Sequence, residues 1–169
     1  MTMESLPLYS LTHTLSLTNE FKGTIMDKAA KTLKELCQLD YDAIEAYEEA
    51  IKRLDNNDIA STLTKFKGDH EAHIRHLNRL LSSRGEKSVD GPDMKRFLTE
   101  GKVIIADLMG DKAILAAMIA NEKITEKSYK EARDVDELTM EERTQLTQHY
   151  EDEKRHKEWI ESARESLKD

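Results

Sequence analysis

The sequence predicts an all-α protein, a four-helix bundle with one long crossover, and three observations support this. Charged residues make up 36% of the 169 positions and aromatics only 5%, while glycine and proline number 6 and 2. That is the composition of long, solvent-laced helices and not of a β-rich fold. Apolar residues recur at steps of three and four along four long stretches, the mark of amphipathic helices. Finally, two short links and one long one join those stretches, which sets the order in which the helices pair.

The first helix starts at an Asp27 cap and runs to Leu54, with Leu33, Leu36, Ala43, Tyr47, Ile51 and Leu54 as its inward stripe. Asp55-Asn56-Asn57 is a turn. The second helix runs from Asp58 to Ser82 on Leu63, Phe66, Leu77 and Leu80, and Gly85 is placed to end it in a left-handed conformation. Asp90-Gly91-Pro92-Asp93 breaks the chain, and a short helix over 94–109 follows. Gly110-Asp111 starts the third helix, to Arg133, on Leu115, Met118, Thr125 and Tyr129. Thr139 with Glu142 three residues on reads as a capping box, and the fourth helix runs from there to the C-terminus with Leu146, Ile160 and Leu167 inward.

Short links make the first and second helices, and the third and fourth, antiparallel hairpins. The connection between the hairpins is about 28 residues long. A 16-residue helix within it spans about 24 Å at 1.5 Å per residue, enough to return along the bundle, so the second and third helices should run parallel. Residues 1–26 have no clear period and read as an N-terminal arm or short helix, and 27–169 as one bundle domain.

The formal net charge of −8 gives no basic surface, which argues against nucleic acid and anionic membranes as partners. No apolar run approaches the roughly 20 residues that span a bilayer. The N-terminus lacks a basic start followed by an apolar stretch, so no signal peptide is expected. The single cysteine, Cys37, excludes an internal disulfide, fits a reducing compartment and reads as a buried small residue. A cytoplasmic protein is the expectation.

The chemistry lies in what interrupts each stripe. The first helix continues Leu36–Asp40–Ala43, the second Phe66–His70–His73–Leu77, the third Met118–Glu122–Thr125 and the fourth Leu146–Glu153–His156–Ile160. Each interruption falls near the middle of its helix, and bundled helices share a midplane whichever way they run. Asp40, His70, His73, Glu122, Glu153 and His156 should therefore meet at one level. Buried unpaired carboxylates cost several kcal/mol, so three of them among histidines point to a bound cation. Mixed imidazole and carboxylate donors suit Fe, Mn or Zn.

These residues carry a family resemblance. The run 151–160, with Glu153 and His156 as Glu-x-x-His, resembles the fourth-helix metal motif of ferritin-like di-iron proteins such as bacterioferritin and rubrerythrin. Asp40 followed seven residues on by Tyr47 is similar to their first-helix carboxylate and tyrosine. Glu122 stands where their third-helix glutamate would, and His73 matches their second-helix histidine. Asp69-His70-Glu71-Ala72-His73 looks close to a bacterial ferritin-like branch with an Asp-His-x-x-His second helix. The resemblance covers about 28–168. It implies a ferritin-like fold and an iron centre that oxidises Fe(II) or reduces peroxide or O2. Asp40 and Glu122 would be terminal ligands, Glu153 a bridge, and the three histidines nitrogen ligands.

One departure stands out. Where the family pattern has a bridging glutamate, this chain has His70, so one ion, or an asymmetric pair, stays open beside a symmetric di-iron site. No CxxC pair is present for a rubredoxin-type iron, and nothing in the sequence marks a cage-forming interface. Bundles of this kind often pair, making a homodimer the expected assembly. The competing reading is a non-catalytic structural or partner-binding bundle whose buried polar layer sets helix register, which would require every buried group to be hydrogen-bonded. Tyr47 and Tyr129 read as core groups able to bond a ligand, His76 as pointing away from the core, and His149 as no closer than the periphery of the site.

Overall fold

Three of the four helices begin at a side-chain cap that the sequence supplies. Asp27 accepts a hydrogen bond from the Ala29 amide and opens α1, Lys28–Arg53. Asn56 accepts from the Asp58 and Ile59 amides and opens α2, Asn57–Ser83, one residue earlier than the Asp58 start expected. Helix α3, Asp111–Ala132, follows Gly110, whose φ of 83° favours glycine. Thr139 and Glu142 form the reciprocal capping box that starts α4, Met140–Ser166. At the end of α2, the Glu86 amide bonds the Leu81 carbonyl and the Gly85 amide bonds the Ser82 carbonyl, with Gly85 at φ 75°. That pair of bonds is the Schellman arrangement the glycine permits.

The computed structural model describes residues 27–92 and 108–167. Among these, no strand occurs and no helix is long and apolar enough to cross a membrane. The arm at 1–26 and nearly all of the short helix expected over 94–109 lie outside the described residues. Leu108 and Met109, its last two positions, are not helical, and Met109 is exposed.

Two sets of contacts fix the helix directions. The Asp111 carboxylate, at the start of α3, accepts from the Asp55 and Asn56 amides at the α1–α2 turn, 2.9 and 3.1 Å away. Arg84, at the end of α2, reaches Asp27 at the start of α1 and Glu142 at the start of α4. Helices α2 and α3 therefore run parallel, as the link lengths predicted, with the end of α2 and the start of α3 at opposite ends of the bundle. Helix α1 packs on α2 and α3, and α4 on α3 and α2.

The core has two apolar clusters. One gathers Leu33, Leu36, Leu77, Leu81 and Leu146 at the Arg84 end; the other gathers Leu63, Phe66, Leu115, Met118 and Ile160 at the Asp111 end. Ile51 and Leu167, expected inward, are only partly buried at the margin of the second cluster. Between the clusters lies a layer of buried polar groups, and it holds the six residues that interrupt the stripes.

Candidate metal centre

All six are buried: Asp40, His70, Glu122, Glu153 and His156 have no exposed surface and His73 has 2%. Their positions follow from helical periodicity. Each takes a place on an inward stripe where an apolar residue would otherwise stand, and four helices bring the four interruptions to one level.

The layer divides into two overlapping groups. Asp40, His70, His73 and Glu153 form one, and His70, Glu122, Glu153 and His156 the other, with ligand-type atoms within 4.8 Å of one another in each. His73 Nδ1 lies 3.3 Å from Glu153 Oε1, His156 Nδ1 lies 3.6 Å from Glu122 Oε2, and His70 Nε2 lies 4.0 Å from Glu122 Oε1. Two donors about 2.1 Å from one cation are at most about 4.2 Å apart, so these spacings suit a shared transition-metal ion.

The hydrogen bonds show which atoms remain for such an ion. His70 Nδ1 donates to Asp40 Oδ1 at 2.9 Å, His73 Nε2 to Asp152 Oδ2 at 3.3 Å, and His156 Nε2 to Asp69 Oδ2 at 3.0 Å. Tyr47 donates to Glu122 Oε1 at 2.8 Å and Tyr129 to Asp40 Oδ2 at 2.5 Å. What is left over is His70 Nε2, His73 Nδ1, His156 Nδ1, Glu122 Oε2 and both oxygens of Glu153, all buried and without a hydrogen-bond partner. Buried polar atoms are ordinarily paired. A converging set of unpaired lone-pair donors is what a cation would satisfy, so the residues present fit a metal.

Ring packing fixes the imidazoles further. Phe66 stacks on His156 at 4.2 Å between centroids, and His149 stacks on His73 at 3.9 Å. Outside the layer, Arg155 bonds Asp152 at 2.5 Å and Asp69 at 2.8 Å, tying together the two aspartates that hold His73 and His156.

Without a metal, the charges respond to one another. Burial works against the charged form of His70 and His73, yet the neighbouring carboxylates outweigh it and raise them to about 9 and about 11. Burial would raise Asp40, but hydrogen bonds from His70 and His73 carry it well below the usual carboxylate range. Glu122 goes up, chiefly through burial. His149 is pushed down to about 3 by burial and by His73 beside it.

Three further residues support the layer: periodicity places His149 no closer than its periphery, Asp69 is read only as part of the Asp-His-x-x-His run, and Asp152 is not singled out. His149 is 1% exposed, takes a 2.9 Å hydrogen bond from the Gln145 amide, and lies 3.3 Å from His76 Nδ1. Its place on the stripe Leu146–His149–Glu153–His156 was a usable signal. Asp69 and Asp152 each stand one residue before a stripe position, in Asp-His-x-x-His and Asp-Glu-x-x-His, and that repeat was legible. Tyr47 and Tyr129 are buried and bond the Glu122 and Asp40 carboxylates of the layer, and Cys37 is buried.

The comparisons with known proteins give a family and a fold. A family described as a domain of unknown function (DUF2383) matches residues 28–134, which span α1 to α3. Among solved structures, the X-ray structure of Dps from Thermosynechococcus elongatus superimposes with a TM-score of 0.69 over 89% of this chain and 94% of that one, at 12% identity. At that identity the likeness shows the fold, which is ferritin-like. Nothing among the curated proteins matches.

Proposed function

This chain belongs to the family described as a domain of unknown function (DUF2383), and with that as premise we propose that it is a ferritin-like metal-binding protein of the cytosol whose buried layer holds iron. The layer consists of Asp40, His70, His73, Glu122, Glu153 and His156. One observation carries the reading. Unpaired nitrogen and oxygen atoms from three helices converge in a buried interior, and a cation is the simplest partner for all of them at once.

Iron, when bound, would supply a redox couple, and the reaction class proposed is oxidation of Fe(II) with reduction of peroxide or O2. With peroxide the overall balance is two Fe(II), one hydrogen peroxide and two protons giving two Fe(III) and two waters. Anionic Glu122 and Glu153 favour the higher charge of the oxidised ion. The Tyr47 hydroxyl orients Glu122, and the aspartates orient the imidazoles so that one nitrogen of each faces inward. Apolar clusters on both sides exclude bulk water. Manganese and zinc suit the same donors, and pairing into a homodimer fits the reading.

The test is metal content. Purified protein loaded with Fe(II) without oxygen should carry at least one ion per chain, and the Glu122→Ala/Glu153→Ala double variant should carry none. Wild-type protein that holds no stoichiometric metal under any loading condition would leave the structural polar-layer reading. Iron that binds but is oxidised by peroxide no faster than free Fe(II) would remove the redox part alone.

A further inference from the structure

The layer has a near two-fold plan. The α1–α2 hairpin contributes Asp40, Tyr47, Asp69, His70 and His73, and the α3–α4 hairpin contributes Glu122, Tyr129, Asp152, Glu153 and His156. Each tyrosine stands seven residues after its own hairpin's carboxylate and bonds the carboxylate of the other hairpin. Asp69 likewise takes the N–H of His156 and Asp152 the N–H of His73, so each aspartate serves the opposite hairpin.

Two residue pairs break this symmetry. Glu153 belongs to both groups and presents two unpaired oxygens, whereas His70, its counterpart, has committed Nδ1 to Asp40 and has only Nε2 left. Glu122 keeps Oε2 unpaired. Asp40, its counterpart, accepts His70 on Oδ1 and Tyr129 on Oδ2, so neither of its oxygens is unpaired. Asp40 thus does for His70 what Asp69 does for His156 and Asp152 for His73.

Resting on the metal-binding reading above, we infer that the two halves are unequal: one ion is seated by His70 Nε2, Glu122, Glu153 and His156 Nδ1, while Asp40 positions the His70 ring and is not a ligand. Two nitrogens and two carboxylates complete a four-donor site on the α3–α4 side. On the α1–α2 side the unpaired donors are His73 Nδ1 and Glu153, while Asp40, 3.8 Å from His73 Nδ1, already holds a hydrogen bond on each oxygen, so a second ion there would have to compete with His70 and Tyr129 and bind more weakly. Asp40 is also one methylene shorter than Glu122. His70 is therefore the residue that makes this a one-ion layer.

Anaerobic titration with Fe(II), and with Co(II) as a spectroscopic probe, tests this. Wild-type protein should take up one equivalent per chain, with any second equivalent at least about 100-fold weaker, and Co(II) should show a single coordination environment. Asp40→Asn should keep the single equivalent with affinity about 10–100-fold lower, the usual cost of losing a group that orients a ligand. His70→Glu, which restores a carboxylate able to face both groups, should bind two equivalents of similar affinity. Anomalous scattering from Co(II) in crystals should place the ion beside Glu122 and His156. Two comparable equivalents in the wild type, an ion bound to Asp40, or loss of the tight equivalent in a folded Asp40→Asn protein overturns the inference and leaves the metal-binding reading standing. No tight equivalent in the wild type overturns both. The wild-type titration and ion position decide even if a variant does not fold.

Discussion

The Tyr129 hydroxyl donates a 2.5 Å hydrogen bond to Asp40 Oδ2 across the α1–α3 contact, and both groups are fully buried. Burial and the Asp40 charge together hold the phenol in its protonated, donating form, well above its ordinary range. Tyr129→Phe removes the donor while keeping the ring, leaving a buried carboxylate oxygen unpaired. The metal-free variant should lose about 1–3 kcal/mol of unfolding free energy. Urea denaturation measures this, and an unchanged midpoint would show that the bond contributes nothing net.

The stability of the metal-free protein should fall on both sides of pH 6.5. His70 and His73 are raised from 6.5 to about 9 and about 11, so their protonated forms stabilise the fold fully below pH 6.5. That contribution is lost as pH rises through those values. His149 is lowered to about 3 and stays neutral when folded, so its contribution is present above 6.5 and is lost as pH falls toward 3. Denaturant midpoints at pH 5, 6.5 and 9 test the signs. A midpoint at pH 9 equal to or above that at 6.5 refutes the assignment for the two raised histidines. Metal affinity should move the opposite way and increase from pH 6.5 to 9, because the ion displaces protons from the same nitrogens.

Arg155 lies at the surface over the layer and ties Asp69 to Asp152. Arg155→Ala frees both aspartates, and through them the outer nitrogens of His156 and His73. Transfer of bound Co(II) to a chelator should speed up about 10-fold or more while stoichiometry stays the same. The half-exposed guanidinium adds little to folding, so stability should change by less than about 1 kcal/mol. Unchanged transfer kinetics would show that the aspartates hold their places without it.

Arg84 gathers Asp27, Glu142 and the Glu137 carbonyl at one end of the bundle, joining α1, α2 and α4. Glu142 and Asp27 hold its guanidinium, and Glu142 is itself nearly buried. Arg84→Ala should lower unfolding free energy by about 2 kcal/mol, less than for a fully buried pair because Asp27 is partly exposed. Metal stoichiometry should not change, since the layer lies farther along the helices. A denaturation midpoint within error of wild type would show the cluster to be energetically idle.

How much of this was legible in the chain can be read from particular residues. His73, Glu122 and Glu153 stood out because each occupies a stripe position that helical periodicity assigns to the core. His149 occupies such a position too, yet it passed as peripheral because no counterpart on another helix drew attention to it. Asp69 and Asp152 lie one residue off the stripe. Their parallel places in Asp-His-x-x-His and Asp-Glu-x-x-His can be seen in the sequence, but which histidine each holds cannot, since those partners lie on the facing helix.

The sequence by itself determined the four long helices, the caps at Asp27 and Thr139, the parallel run of α2 and α3, and the level at which six polar residues meet. Those features depend on local periodicity, cap chemistry and link length, and all three are properties of short segments. Tertiary structure alone decided which atom each residue has to spare. His70 and Asp40 are 30 positions apart, and Tyr129 is 89 from Asp40. Only packing brings them within hydrogen-bonding distance, and those two bonds engage both oxygens of Asp40, which periodicity alone could not show.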